Sequence, residues 1–252
     1  MGLFKSGNPA INEKTFNNLP ATYGEDSMTM GGAMKKFGLM LVMVIGAASF
    51  TWGEYFKGGD VMPWMIGGAI GGFVLALIII FKQRWAPYLA LGYALCEGLF
   101  LGAVSAVLEA AFAQKYPGLV MQAVLMTFGV AAGMFALYYF RIVRVTNTFK
   151  KVVFAAMSAI LLFYIVALVL NLCGVPFYYL HDSSPLAIGI NLFVIVIAAL
   201  RLMIDFDLIE EGAAQGAPKY FEWYGAFGLM VTMIWLYMNI LRLLVRIAGS
   251  RK

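Results

Sequence analysis

The sequence predicts an all-α, polytopic membrane protein, and three observations support this class. First, 62% of the 252 residues are apolar and only 12% are charged, whereas a soluble domain carries about 25% charged residues. Second, long apolar runs such as FVLALIII at 73–80 do not alternate polar and apolar residues, as strands of a membrane barrel would. Third, a helix satisfies all of its backbone hydrogen bonds within the lipid, so the spanning segments are expected to be helices.

Seven stretches are long enough to span a bilayer, because about 20 residues at ~1.5 Å each cross ~30 Å of hydrocarbon. They lie at about 37–56, 62–81, 86–112, 119–140, 152–174, 185–205 and 222–246. We therefore divide the chain into a flexible cytoplasmic tail at 1–34, rich in Asn, Gly and Pro, and a single transmembrane helical domain at 35–252.

The distribution of basic residues sets the expected orientation. Lys and Arg are frequent before the first segment, between the second and third and between the fourth and fifth, and are scarce in the other loops. Cytoplasmic loops carry the excess of these residues, so the N-terminus is expected in the cytoplasm. The last segment conflicts with this rule, since seven crossings put four basic residues at the C-terminus outside. Either this segment is re-entrant, with a break at Gly225 or Gly228, or it departs from a statistical rule.

Acidic residues in or beside the apolar segments are the candidate functional residues, because charge inside a membrane is costly and marks a functional site by default. Five of the 13 acidic residues lie between Asp205 and Glu222. Arg201 precedes Asp205 by four residues, so an ion pair within one turn of helix is available. Asp207 and the two glutamates that follow it fit solvated charges at a helix end.

Glu97 lies ten residues after Pro87, about 15 Å into the third segment and near the middle of the bilayer. A carboxylate there either has a cation, a hydrogen-bond network or water beside it, or is protonated and neutral. Glu97 is therefore either part of a cation or proton site or a neutral group hydrogen-bonded between helices. Asn191, in the sixth segment, is expected to be an amide that bridges helices.

The motifs of common enzyme classes are missing from the sequence. HExxH, the Walker loop and GxGxxG do not occur, and the Ser and Thr residues have no His positioned as a catalytic partner. We therefore expect neither an enzyme nor a bound cofactor. The net charge of +5 resides mostly at segment ends, as membrane orientation requires, so the expected partner is the lipid bilayer and not nucleic acid.

Four stretches of the sequence are distinctive. They are FKSGNPA (4–10), YALCEGLFLGAVSAVLE (93–109), LRLMIDFDLIE (200–210) and APKYFEWYGAFGLMVTMIWLYMNILRLL (217–244). In these stretches the chain resembles the Bax inhibitor 1 superfamily, in particular its bacterial YccA-type branch, over nearly its whole length. The resemblance implies a multi-pass protein of the bacterial inner membrane, with seven hydrophobic helices and the last one central in the bundle.

The resemblance also implies a gating mechanism. Relatives in the superfamily are described as pH-sensitive calcium leak channels, in which an aspartate at the end of the sixth helix and an acid in the seventh open or close the pore with protonation. The first position corresponds to Asp205 and the second to Asn239, in LYMN at 236–239. Asn239 cannot ionise, so the pH switch is expected to be weakened. Asn239 is expected to donate a hydrogen bond to Asp205. The pH switch would be kept only if Asp207 or Glu97 replaced the missing acid.

Two functions follow as expectations from this resemblance. The first is a passive cation (calcium) leak channel with a weakened pH switch. The residues assigned to the ion pathway and its gate are Asp205, Asn239, Glu97, Arg201 and Asp207. Of these, Asp205 and Glu97 would bind Ca²⁺ transiently, since calcium prefers oxygen ligands. The alternative is a non-channel regulatory partner of a membrane-bound AAA protease, docked through the N-terminal tail.

Overall fold

The computed structural model describes residues 27–173 and 184–250, which form seven long helices. The helices are α1 (Met30–Phe56), α2 (Met62–Phe81), α3 (Ala86–Phe112), α4 (Leu119–Tyr139), α5 (Asn147–Leu172), α6 (Pro185–Ala214) and α7 (Phe221–Ser250). A short 3₁₀ turn, Gln83–Trp85, joins α2 to α3, and the described ranges contain no strand. All seven helices are long and apolar enough to cross a membrane, which confirms the predicted fold class.

Capping residues set the starts of several helices. Helices α2, α3 and α6 each have a proline in the first turn. Backbone N–H groups in the first turn have no acceptor within the helix, so the N–H that proline lacks costs no hydrogen bond there. The first helix starts earlier than the predicted residue 37, because the Thr29 hydroxyl accepts a hydrogen bond from the Gly32 N–H at 2.9 Å and caps it. Residues 30–34, assigned to the flexible tail, are therefore helical. The rest of the predicted tail, residues 1–26, lies outside the described residues.

Helices α6 and α7 are each 30 residues long, or about 45 Å at the helical rise. The sixth helix was expected to end near residue 205 but continues to Ala214, so Asp205 lies about 13 Å before its end. The seventh helix runs without interruption past Gly225 and Gly228. The re-entrant alternative is therefore excluded, and α7 is long enough to cross the membrane completely.

Small residues let α3 pack closely against both α1 and α2. A Cβ placed on Gly98 of α3 would lie 2.5 Å from the Val44 carbonyl oxygen of α1. A Cβ on Gly68 of α2 would lie 2.6 Å from the Cys96 carbonyl oxygen of α3. Helices in lipid associate largely through such close backbone approach. The last helix, in turn, packs against α1, α3, α4 and α6.

The outward faces of the helices carry large apolar side chains. Exposed examples lie on α1, α2, α4 and α5, whereas about half or more of the most apolar stretches of α6 and α7 are buried inside the bundle. Exposed apolar surface on this scale is unfavourable in water and favourable against hydrocarbon. The arrangement therefore implies that a lipid bilayer surrounds the bundle.

Candidate functional site

Asp205 lies at the interface of α6 and α7 and is fully buried, with 0% of its side chain exposed. Arg201, one turn earlier on α6, is 2% exposed, and its Nη2 lies 2.7 Å from Asp205 Oδ1. The ion pair that the four-residue spacing predicts is therefore formed. From α7, the Thr232 hydroxyl donates a hydrogen bond to the other carboxylate oxygen, Oδ2, at 2.5 Å. The sequence analysis did not single out Thr232, which has no charge to mark it.

The buried pair retains unused hydrogen-bonding capacity. Arg201 Nε and Nη2 and Asp205 Oδ1 have no hydrogen-bond partner among the described residues, although the pair is close enough to be an ion pair. A guanidinium offers five N–H donors, and buried charged groups that lack hydrogen bonds are costly. The unpartnered Arg201 N–H groups can therefore donate to water, whereas a cation could contact only the Asp205 carboxylate.

Asn239 lies on the same face of α7 as Thr232 but two turns, or about 10 Å, farther along the helix. The side-chain Nδ2 of Asn239 donates to the Trp235 carbonyl oxygen at 2.8 Å, and the backbone carbonyl oxygen of Asn239 accepts from Asn191 Nδ2 at 3.0 Å. The expected hydrogen bond from Asn239 to Asp205 is not formed, because the amide turns back to its own helix and Thr232 takes that role. Asn191 does bridge α6 and α7, as predicted.

Six buried polar residues lie along the α6–α7 interface. We call five of them the polar row; the sixth, Arg246 of α7, donates to the Ala187 carbonyl oxygen of α6 at 2.6 Å. The members of the polar row are Asn191, Arg201 and Asp205 on α6 and Thr232 and Asn239 on α7. On α6 the row extends over about 20 Å, since 191 and 205 are separated by some four turns of helix. Asn191 Oδ1 and Asn239 Oδ1 also have no hydrogen-bond partner within the described part of the chain. Polar and ionisable residues buried within spanning helices are rare and mark candidate sites for the passage of ions or protons.

Asp207 does not face Asp205, because residues two apart point to different sides of a helix. Its carboxylate lies 2.8 Å from Lys150 Nζ of α5. Glu210, one turn later, pairs with Arg141 in the connection after α4. Both acids are partly exposed, as expected of charges near a helix end, and they also form ion pairs that join α6 to its neighbours. Asp207 therefore does not take the place of the missing acid beside Asp205.

Glu97 is half-buried on α3 and has other neighbours. It faces α2, where a Cβ on Gly72 would lie 2.9 Å from Glu97 Oε1. Its carboxylate accepts a hydrogen bond from Tyr93, and the Tyr93 ring packs edge-on against Phe227 of α7 at a centroid distance of 4.9 Å. Glu97 and Asp205 therefore have different partners. Within residues 27–173 and 184–250, no three His, Cys, Asp or Glu side chains come together to hold a metal ion.

Glu222, in the first turn of α7, is a buried acid whose contacts the sequence analysis missed. Its carboxylate pairs with Lys36 of α1, lies 3.1 Å from Lys219 Nζ, and accepts the Thr29 N–H at 2.9 Å. Negative charge at a helix N-terminus is favourable, and here the same charge ties the first helix to the last. The sign of these contacts in the sequence is that Glu222 follows Lys219 by three residues.

Comparison with known protein families identifies a related family. The sequence matches the family described as Bax inhibitor 1 like over residues 8–249, a range that contains the polar row and all but the last residue of α7. No curated protein and no solved structure matches the chain.

Proposed function

We propose, on the premise that the chain belongs to the Bax inhibitor 1-like family, that it is a passive cation leak with Ca²⁺ as the permeant ion. The supporting observation is the buried Arg201–Asp205 pair inside a helix long enough to span the membrane. Ionisable residues at such depth are rare, face the bundle interior and mark ion or proton routes. We assign the route to the polar row, with Asp205 as its cation-binding group.

Arg201 holds the position that a passing cation would take beside Asp205. In the structure its guanidinium neutralises the carboxylate at 2.7 Å, so this state of the route is closed. A cation that reaches Asp205 competes with the tethered arginine for Oδ1, while Thr232 keeps Oδ2 in place. Ca²⁺ takes six to eight oxygen ligands, so a single carboxylate supplies a weak, transient site. Weak binding of Ca²⁺ at Asp205 lets the ion leave the site again, as a leak requires.

Glu97 has a positioning role in this proposal. It is tied to Tyr93, which packs on Phe227 of α7, and it lies against α2 and not in the polar row. We propose that it fixes the packing of α2 and α3 against α7 and does not itself bind the ion.

Calcium flux into liposomes that contain the purified protein tests the proposal. Flux above that of empty liposomes is expected for the unmodified protein. Asp205→Asn leaves the Arg201 charge without its counter-charge and is expected to abolish flux, whereas Arg201→Met removes the competitor and is expected to raise it. Asp60→Asn is a matched control, because an amide oxygen can still accept the Met62 N–H that Asp60 accepts at 2.9 Å.

Two outcomes would count against the proposal. Flux of the unmodified protein equal to that of empty liposomes removes the leak function. Equal flux for Asp205→Asn, Arg201→Met and the Asp60→Asn control removes the polar row from the route. Helical content and monodispersity of each variant, measured by circular dichroism and size-exclusion chromatography, separate these outcomes from loss of folding.

A second candidate function is the regulatory partner of a membrane-bound protease, which would dock through the tail. One contact favours it: the Met28 N–H donates to the Ala217 carbonyl oxygen at 2.7 Å, so the chain that precedes α1 is held against the loop before α7. Residues 1–26 lie outside the described residues, but their attachment point is at the end of the bundle expected to face the cytoplasm. A partner on that side could reach both the tail and the loop.

A further inference from the structure

We infer that the acyl chain of a bilayer lipid binds in a lateral slot of the bundle between α1 and α4. The slot has a volume of about 620 Å³ and is enclosed by α1, α3, α4 and α7. It exists because α7 packs against both α1 and α4, whereas those two helices do not pack closely on each other. This inference does not depend on whether the protein conducts ions.

The slot runs along the helix axes, parallel to the lipid chains around it. Its lining extends from Leu41 to Trp52 on α1 and from Gly118 to Phe128 beside and along α4, or about 15 Å in each case. A slot of this length and direction admits an extended segment of a flexible acyl chain.

The polar side chains that line the slot are already hydrogen-bonded. Ser105 and Tyr237 share a hydrogen bond of 2.7 Å, and the Glu109 carboxylate accepts the N–H groups of Gly118 and Val120 at 2.6 and 2.8 Å. Two further hydroxyls in the lining bond to carbonyls of their own helices. The rest of the lining is apolar apart from the backbone and the indole N–H of Trp52. A polar ligand would find few free partners, so an apolar ligand is favoured.

The position of the slot selects an acyl chain among apolar ligands. Its mouth lies between lipid-facing side chains such as Ile45, 50% exposed, and Met121, 62% exposed. Transfer from bilayer to slot gives no hydrophobic gain, because lipid tails are as apolar as the lining. An empty slot, however, forfeits the dispersion contacts of its lining. Since acyl chains are the surrounding solvent, mass action fills the slot with them.

Trp52 lines the slot and provides a fluorescent reporter. In a variant that retains only Trp52, the other four tryptophans are changed to Phe. The substituted residues are Trp64, Trp85, Trp223 and Trp235. The protein is reconstituted in phosphatidylcholine vesicles whose acyl chains carry bromine, which quenches an indole on contact. We expect strong quenching of Trp52 emission and a roughly twofold weaker effect after Val124→Phe, which fills the slot and displaces the chain.

A matched control places the same side chain outside the slot. Leu125 is the next residue of α4 and is 64% exposed to lipid, so Leu125→Phe is expected to leave the quenching of Trp52 unchanged. Equal quenching in the Val124→Phe and Leu125→Phe backgrounds overturns the inference.

Native mass spectrometry of the protein with all five tryptophans gives a second test that does not depend on the multiple substitutions. After mild purification from the same lipid, Val124→Phe is expected to retain one phospholipid fewer than the unmodified protein and Leu125→Phe. The same number of retained lipids on all three proteins also overturns the inference.

Discussion

Removal of Asp205 with Arg201 left in place is expected to destabilise the protein strongly. In Asp205→Ala, a guanidinium that is 2% exposed loses its counter-charge at 2.7 Å, and the Thr232 hydroxyl loses its acceptor at 2.5 Å. Removing one partner of a buried ion pair costs ~3–5 kcal/mol. In a chain of this size each kcal/mol lowers the unfolding midpoint by about 2–4 °C. We therefore expect a midpoint lower by roughly 6–20 °C.

Thermal unfolding in lipid nanodiscs, followed by circular dichroism, measures this loss. The double variant Arg201→Met/Asp205→Leu removes both charges, and apolar replacement of a buried pair is often neutral or stabilising, so its midpoint is expected near that of the unmodified protein. Glu54→Ala is the control, because its 3.8 Å pair with Lys57 is at the surface and such pairs contribute only ~0–1 kcal/mol. A midpoint of Asp205→Ala within a few degrees of the unmodified protein, or a double variant less stable than the single one, would refute the reasoning.

Three further predictions follow from the site and the tail. Thr232→Val removes the hydrogen bond to Asp205 without changing the shape of the side chain and should lower the free energy of unfolding by ~1.5–3 kcal/mol. Thr127→Val should lower it less, because the Thr127 hydroxyl bonds only its own helix, at 2.7 Å. Calcium flux through the unmodified protein should change little between about pH 6 and 8. Asn239→Asp should make the flux rise with pH, because an added buried acid attracts cations only when it is deprotonated. Identical pH profiles for the two proteins would contradict this. Deletion of 1–26 should leave calcium flux unchanged and abolish any specific crosslink to a membrane protease, and a crosslink that survives the deletion would rule out docking through the tail.

The sequence predicted the apolar part of each helix well but not the polar helix ends. The bounds of α2 and α3 agree with the prediction, because charged or proline-bearing connections flank them directly. Helix α5 begins five residues before the predicted start, and α6 ends nine residues after the predicted end. The prediction stopped at charged residues, whereas Lys150 and Asp207 pair with each other and allow both helices to continue past the hydrocarbon. Hydropathy cannot detect that compensation, since it depends on which helices are neighbours.

The candidate site was predictable only where it is local. The Arg201–Asp205 pair lies within one turn of one helix, so the four-residue spacing alone was sufficient to predict the contact. The choice between Thr232 and Asn239 as the partner from α7 depends on how far α7 is displaced along α6, and two turns of displacement, ~10 Å, would exchange them. The contact between Glu222 and Lys36 joins residues 186 positions apart. No local pattern in one sequence specifies such a contact.

That long-range contact has a consequence for biosynthesis. The first helix enters the membrane with Lys36 near its start, but Glu222 and Trp223, which the lysine contacts in the finished protein, belong to a helix that is made only after the five helices between them. A nascent chain that lacks α7 therefore presents a cation and an unfilled helix face at the membrane surface. Closure of the bundle becomes a late, cooperative event that only a full-length chain can complete. A prematurely terminated product would thus be distinguishable to the cell's quality-control machinery by its open first helix.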